Sequence, residues 1–128
     1  MAIVAIVAVL AIMQYMVFSA LVGRARGTYG VEAPATSGHE MFDRYYRVHQ
    51  NTLEQLVAFL PGLWVFGSHV SPLWAAGLGV IYLIGRVVYF RAYTKDPKSR
   101  GTGMLIGFLP TVVLVLGGLI GVGINLLG

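Results

Sequence analysis

The chain has 128 residues, of which 57% are hydrophobic and only 11% are charged, and its formal net charge at pH 7 is +4. Soluble domains carry about 25% charged residues, so the composition predicts an integral membrane protein. No basic run alternates with exposed aromatic residues, so we expect no nucleic-acid partner. The absence of cysteine excludes disulfides, thiolate metal sites and a cysteine nucleophile.

The first 23 residues contain no charged side chain. About 20 apolar residues span a bilayer, so this run predicts a first spanning helix over about 2–23. A cleaved signal peptide is the alternative, because a Phe-Ser-Ala sequence in this run resembles a cleavage site. We favour the retained helix, since the run lacks a basic start and Arg24 and Arg26 follow it directly, as after a membrane stop.

Three further helices are predicted from the remaining chain. Residues 27–39 are rich in Gly, Pro, Ser and Thr and predict a polar loop. Ser37 stands three residues before Glu40, the spacing of a capping box, and predicts the start of the second helix. A polar turn ending in a proline separates the second and third helices, and a short basic turn precedes the fourth. The expected boundaries are about 40–67, 72–93 and 102–127.

The basic residues predict the topology. All nine lie in or beside the first and third loops, whereas the second loop and both termini have none. The positive-inside rule therefore places loops one and three in the cytoplasm and both termini on the opposite side. The membrane would be a bacterial inner membrane or the endoplasmic reticulum. No internal repeat is present, so we expect residues 1–128 to form one all-α domain, a bundle of four transmembrane helices.

The second helix carries polar side chains on one face. Arg47, Asn51 and Glu54 stand at i, i+4 and i+7. Ionisable groups at membrane depth are costly, so they tend to be paired, to face inward and to be functional. The alternative is a topology anchor, in which Glu54 only neutralises Arg47.

The third helix carries a matching set. Arg86, Tyr89 and Tyr93 stand at i, i+3 and i+7, and Arg100 follows beyond the helix end. Arg86 lies deep in an apolar stretch and needs a carboxylate or a bound anion, and Glu54 is the one acid at comparable depth. The tyrosines are alternatively interfacial anchors, as in other membrane proteins.

Together the two helices offer arginines for carboxylates, one acid for an ammonium group, and an amide and phenols for peptide groups. This set suits a small zwitterionic peptide at the membrane edge, beside an apolar surface for a lipophilic second substrate. The sequence contains no Ser-His-Asp spacing and no phosphate-binding glycine loop. His39, His49 and His69 are scattered over two faces, so we expect no metal site.

Two segments resemble the MAPEG family (membrane-associated proteins in eicosanoid and glutathione metabolism). The segment DRYYRVHQNTLEQLVAFLPGLW is similar to the second helix of that family, whose pattern is approximately E-R-x-x-R-x-x-x-N-x-x-E. The segment GRVVYFRAYTKDPKSR is similar to its third helix, R-x-x-Y-F-x-x-Y with an arginine seven residues on. The positions that match are Asp43, Arg44, Arg47, Asn51, Glu54, Arg86, Tyr89, Phe90, Tyr93 and Arg100.

The resemblance implies a homotrimer that binds glutathione, as co-substrate, between neighbouring subunits. It implies that Arg100 stabilises the glutathione thiolate, which would attack a lipophilic electrophile or lipid dissolved in the membrane. The other residues that the resemblance and the polar faces assign to glutathione binding are Arg26, Arg47, His49, Asn51, Glu54, Arg86, Tyr89 and Tyr93.

The sequence departs from the family at two places. Gln55 follows Glu54 where the leukotriene-forming members have tyrosine, so eicosanoid chemistry is not implied. The pair Asp96-Pro97 changes the turn before Arg100 and therefore the direction of its side chain.

Three functions remain open at this stage. The leading hypothesis is a glutathione transferase, with glutathione peroxidase activity towards lipid hydroperoxides as an extension. The alternative is a non-catalytic lipid-binding or scaffold protein of the same fold, because fold alone does not define activity. A small transporter ranks third, since charges on one side offer no polar path across the membrane.

Overall fold

The computed structural model describes all 128 residues and contains four long α-helices. We label them α1 (Ala2–Tyr29), α2 (Glu40–His69), α3 (Pro72–Lys95) and α4 (Gly101–Leu127), and a 3₁₀ turn over Pro97–Ser99 precedes α4. The prediction of an all-α chain with four helices is confirmed.

The first helix is longer than predicted. It continues past Arg24 and Arg26 to Tyr29 and ends at Gly30, which adopts a left-handed conformation with φ of 70°. Glycine adopts this conformation without steric cost and is the usual residue at such a helix end. The backbone N–H of Gly30 donates to the carbonyl of Arg26. The two arginines therefore lie on the last turns of α1, and the first loop covers residues 30–39.

The predicted capping box at the start of α2 is wrong. The N-cap residue is His39, whose Nδ1 accepts a hydrogen bond of 3.1 Å from the backbone N–H of Met41. Glu40 does not reach back to the cap and instead forms an ion pair with Arg44, one turn further along the helix. The imidazole satisfies the first-turn N–H that we expected Ser37 to help satisfy.

The helices form an antiparallel bundle with two distinct ends. At the end we call the charged end, Arg44 near the start of α2 donates to the carbonyls of Thr94 and Lys95 at the end of α3. At the opposite end, Asn125 of α4 bonds His69 of α2. Loops one and three therefore share the charged end, whereas loop two and both termini share the other.

The core of the bundle lies between these ends. Its centre is a stack of the Phe59 and Tyr82 rings, whose centroids are 3.8 Å apart. Val4, Val7 and Ala11 of α1 pack against this centre. The buried members of the cluster come from all four helices and are Val4, Val7, Ala11, Leu56, Phe59, Leu63, Phe66, Ala75, Ala76, Tyr82 and Leu114.

Glycines bring α3 and α4 into close contact. Gly85 lies against the backbone of Gly107, and Gly103 lies against the backbone of Tyr89. Small residues allow membrane helices to approach in this way. Gly103 and Gly107, four residues apart on α4, therefore pack against α3, and this contact fixes the position of Tyr89.

Three helical segments are long and apolar enough to cross a membrane: Ala2–Tyr29, Pro72–Lys95 and Pro97–Leu127. These spans establish the chain as a membrane protein. The second helix, which we expected to be a fourth span, is not among them. Its first half carries most of the polar side chains, from Glu40 to Glu54, so its apolar part is short.

Candidate functional site

A buried arginine marks the charged half of the bundle. Arg86 is only 1% exposed, and its Nη2 donates a hydrogen bond of 2.7 Å to Oγ1 of Thr52. Its guanidinium carbon lies 4.5 Å from the centroid of the Tyr89 ring. The expected carboxylate partner was Glu54, and within the chain this pairing is wrong, because Glu54 is exposed and Arg86 bonds the neighbouring hydroxyl instead.

Tyr89 lies close to several positive charges. Its ring stacks on that of Tyr93 with centroids 5.6 Å apart, since the two residues are one turn apart on α3. Arg86 is in direct contact with the Tyr89 ring, and Arg47 and Arg100 are near enough for their charges to act on its phenol. The fold therefore brings these five predicted site residues together from α2, α3 and the turn before α4.

The predicted face of α2 divides between surface and interior. Arg47 and Glu54 are exposed and form no ion pair with each other, because i and i+7 positions are about 10 Å apart along the axis. Asn51 between them is 7% exposed, and its Oδ1 has no hydrogen-bond partner in the chain. This buried amide oxygen is therefore available to accept a hydrogen bond from a water or a ligand.

The turn before α4 directs Arg100. The carboxylate of Asp96 accepts a hydrogen bond from the N–H of Lys98, and the Ser99 hydroxyl donates to the carbonyls of Ala92 and Asp96. Arg100 is exposed, and its Nη1 donates to the carbonyl of Pro97 at 2.9 Å. The turn thus leaves most of the guanidinium donors free at the charged end.

Two predicted site residues have their contacts elsewhere. Arg26 donates a hydrogen bond of 2.7 Å to the carbonyl of Ala35 in loop one, and its guanidinium lies over the ring of Phe42. His49 lies between Tyr15 and Tyr46, and neither of its ring nitrogens has a partner. Both residues therefore take part in α1–α2 packing and do not join the group around Tyr89.

Sequence reasoning missed two residues that shape this site. Thr52 accepts the hydrogen bond of Arg86, a contact between residues 34 positions apart that no local pattern encodes. Arg44 matched a family motif, and its position gave no sign that it binds the end of α3. That helix carries Tyr89 and Tyr93, so Arg44 helps to fix the position of these two residues along the bundle axis.

The site has a clear electrostatic character. Three arginines lie near enough to one phenol for their charges to act on it, and the ion pair of the chain, between Glu40 and Arg44, does not include any of them. An arginine guanidinium can bind a carboxylate through two parallel hydrogen bonds. The charged end therefore has an excess of guanidinium groups, with the unpartnered amide oxygen of Asn51 on the neighbouring helix face, and this chemistry suits an anionic ligand.

The fold defines a class: a helical membrane protein with its arginines gathered at one end of the bundle. The family model that describes the MAPEG family matches residues 4–120, so the chain belongs to the MAPEG family. The resemblance found in the sequence is thereby confirmed.

Individual relatives agree with this assignment. An uncharacterized protein of Synechocystis is 46% identical over 118 residues, which cover 92% of this chain and 86% of that protein. Human microsomal glutathione S-transferase 2 is 35% identical over 118 residues, covering 92% and 80%. Leukotriene C4 synthase of Cavia porcellus is 36% identical over 99 residues, covering 77% and 66%.

Proposed function

We propose that this protein is a membrane-bound glutathione transferase. The observation that carries the proposal is the buried Arg86, which has no carboxylate partner and lies 4.5 Å from the Tyr89 ring. The exposed Arg47 and Arg100 are close enough for their charges to act on the same phenol. Glutathione carries two carboxylates and one ammonium group, so a site rich in arginine suits it. The names of the human and Cavia porcellus relatives, a glutathione S-transferase and a leukotriene C4 synthase, support the same class of enzyme.

Different residues bind different groups of glutathione. Arg47 binds a carboxylate, the exposed Glu54 binds the ammonium group, and Asn51 bonds the peptide through its unpartnered oxygen. Tyr93, which is half-buried, lines the opposite wall, where its phenol donates to a peptide carbonyl. Tyr89 is only 1% exposed and supports Tyr93 by stacking on its ring. Arg86 lies beneath Tyr89 and adds positive charge without direct exposure to the ligand.

Arg100 stabilises the thiolate in this proposal. A thiol has a pKa of roughly 8.5, and a nearby cation lowers that pKa towards neutrality, which raises the fraction of nucleophilic thiolate. The proton passes to solvent at the charged end. The sulfur lone pair then forms a bond to a carbon of the lipophilic electrophile, and the electron pair displaced from that carbon leaves with its substituent or moves into a conjugated system. An apolar electrophile reaches this sulfur from the bilayer.

Arg26 and His49 enter the site from a second copy of the chain. Both were assigned to glutathione binding, and both lie away from the Tyr89 group in one chain. A homotrimer with glutathione between subunits reconciles the two observations. In this arrangement α2 crosses the membrane beside the three apolar spans, with its polar first half at the charged end, and the charged end faces the cytoplasm.

The test is a stopped-flow absorbance record of the thiolate band after glutathione is mixed with the purified protein at neutral pH. We expect a saturable signal that is lost in Arg100→Ala, whereas binding measured by calorimetry persists. Lys98→Gln is the matched control, since Lys98 is an exposed cation of the same turn. An unchanged signal in Arg100→Ala removes Arg100 from the mechanism, and absence of both signal and binding supports the non-catalytic alternative.

A further inference from the structure

A groove runs along one side of α1, next to Tyr45 of α2 at the charged end and next to α3 further along, and it contains two clefts. The cleft at the charged end has a volume of about 180 Å³ and is lined by Leu21, Arg24, Ala25, Thr28, Tyr29 and Tyr45. The deeper cleft has a volume of about 420 Å³ and is lined by Leu10, Gln14, Leu83, Ile84, Val87 and Val88. The first is polar at its mouth, and the second is almost wholly apolar.

The two clefts lie on one continuous face of the bundle. Leu10, Gln14, Val17, Leu21 and Arg24 follow one another at spacings of three and four residues along α1, which places them on one side of a helix. Val17 lies between the clefts and is 56% exposed. Phe18 of α1 stacks on Phe90 of α3, with centroids 5.1 Å apart, at the level between the clefts. An extended apolar chain that joined the two clefts would therefore pass Val17 and this pair of aromatic rings.

Two free cations stand at the charged end of this groove. The side chain of Arg24 is exposed and forms neither a hydrogen bond nor an ion pair. Arg91 stands seven residues after Ile84, on the same face of α3, and its exposed guanidinium is equally unpartnered. Each of the other basic side chains of α1 and α3 is hydrogen-bonded, buried or located off this face. The positive charge of the groove therefore comes from Arg24 and Arg91.

The length of the groove fits one leaflet of a bilayer. From Arg24 to Gln14 is ten residues, or about 15 Å along a helix. Half of a hydrocarbon core of about 30 Å has the same thickness. At the bottom of this distance Gln14 donates a hydrogen bond of 3.0 Å to the carbonyl of Leu83 and joins the two helices. The groove thus has a cationic mouth at the membrane surface and an apolar wall of acyl-chain length.

We propose that this groove binds one anionic phospholipid of the leaflet at the charged end. Arg24 and Arg91 hold its phosphate, the phenols of Tyr29 and Tyr45 lie beside the glycerol, and an acyl chain descends past Val17 towards Gln14. The lipid is a bound component of the folded protein and is not the electrophile of the transferase reaction. The proposal stands independently of glutathione.

Native mass spectrometry of the whole protein tests this site without glutathione. The protein in detergent is mixed with equal amounts of phosphatidylglycerol and phosphatidylcholine of the same chain length, and the retained lipid is identified. We expect phosphatidylglycerol to be retained preferentially. The double variant Arg24→Gln/Arg91→Gln should lose this preference, with a fall in affinity of about fivefold for each arginine. Equal retention of both lipids by the unaltered protein overturns the proposal.

Two controls identify the source of the binding. Lys98→Gln removes an exposed cation away from the groove and should retain phosphatidylglycerol as the unaltered protein does. Glycerol 3-phosphate, which has the phosphate without acyl chains, should not displace the lipid at tenfold excess. Displacement by it makes the mouth a site for soluble phosphate esters, and a complete lack of retained lipid shows that the groove does not bind phospholipid. Either result overturns the proposal.

Discussion

The Nη2 atom of Arg86 donates a hydrogen bond of 2.7 Å to the hydroxyl of Thr52, and that hydroxyl donates at 2.7 Å to the carbonyl of Val48. A buried guanidinium without a carboxylate is thus held by a neutral side chain that is itself held by its own helix. This relationship joins α2 to α3 within the charged half of the bundle. Because no carboxylate neutralises Arg86, its positive charge can attract an anion that binds near Tyr89.

The variant Thr52→Val tests this relationship because it keeps the shape of the side chain and removes the acceptor. Hydrogen bonds to charged groups contribute about 1.5–3 kcal/mol, so we expect the free energy of unfolding to fall by about 2 kcal/mol. Thr52→Ser keeps the hydroxyl and should lose less. Thermal unfolding in detergent, followed by circular dichroism, compares the two. Equal stability of the valine and serine variants contradicts the assignment.

A second prediction concerns the contact between α3 and α4. In Gly85→Ala the added Cβ meets the backbone of Gly107, which has no flexible side chain that could move aside. Overpacking costs about 1–3 kcal/mol, so we expect a clear loss of stability. Gly77→Ala on the same helix is the matched control, since no heavy atom lies within 4 Å of that added methyl group. The control should be neutral or slightly stabilising, because alanine favours helices. Similar losses of stability in both variants refute the close contact.

The four helices were predictable because apolar runs and polar breaks are local properties of a sequence. Gly30 and His39 mark two helix ends that the local sequence pattern did not predict. The first helix continues through its arginines because their side chains find partners in loop one and in solvent. At the start of α2, an imidazole that packs on Tyr29 takes the capping role that the spacing of Ser37 suggested.

The site was predictable only as a set of residues on helical faces. Spacing placed Tyr89 and Tyr93 on one side of α3, where they stack. It gave no information on contacts between helices. Glu54 was expected to pair with Arg86 because the two residues have a similar predicted depth in the membrane. In the structure, the register of α2 against α3 places Thr52 next to Arg86 and leaves Glu54 exposed. Such registers depend on the packing of the whole bundle.

A third prediction concerns Arg44, which holds the end of α3. Its Nη1 donates to the carbonyls of Thr94 and Lys95 at 3.0 and 3.1 Å, two groups that the helix end leaves without partners. In Arg44→Gln we expect a loss of about 2 kcal/mol in unfolding free energy and a weaker affinity for glutathione, because Tyr93 shifts. Circular dichroism and calorimetry measure the two quantities.

The control for Arg44 is Glu40→Gln. Glu40 forms an ion pair with Arg44 at 2.6 Å, but its side chain is 77% exposed, and exposed ion pairs contribute about 0–1 kcal/mol. This variant should therefore retain both stability and glutathione affinity. If Glu40→Gln is as harmful as Arg44→Gln, the ion pair and not the bond to α3 is the important contact.

The last prediction concerns loop one. Arg26 of α1 donates a hydrogen bond to the carbonyl of Ala35 and so holds this loop against α1. In Arg26→Gln this bond and the contact with the Phe42 ring are weakened, so residues 30–39 should become more accessible. A glutamate-specific protease measures this directly, because Glu32 lies within the loop, and we expect cleavage there to be several times faster. Arg24→Gln on the same turn of α1 is the control, since its side chain holds no part of the loop. If both variants are cleaved at the rate of the unaltered protein, Arg26 does not hold loop one. A loss of glutathione binding in Arg26→Gln without faster cleavage would then place its function in the site of a neighbouring copy.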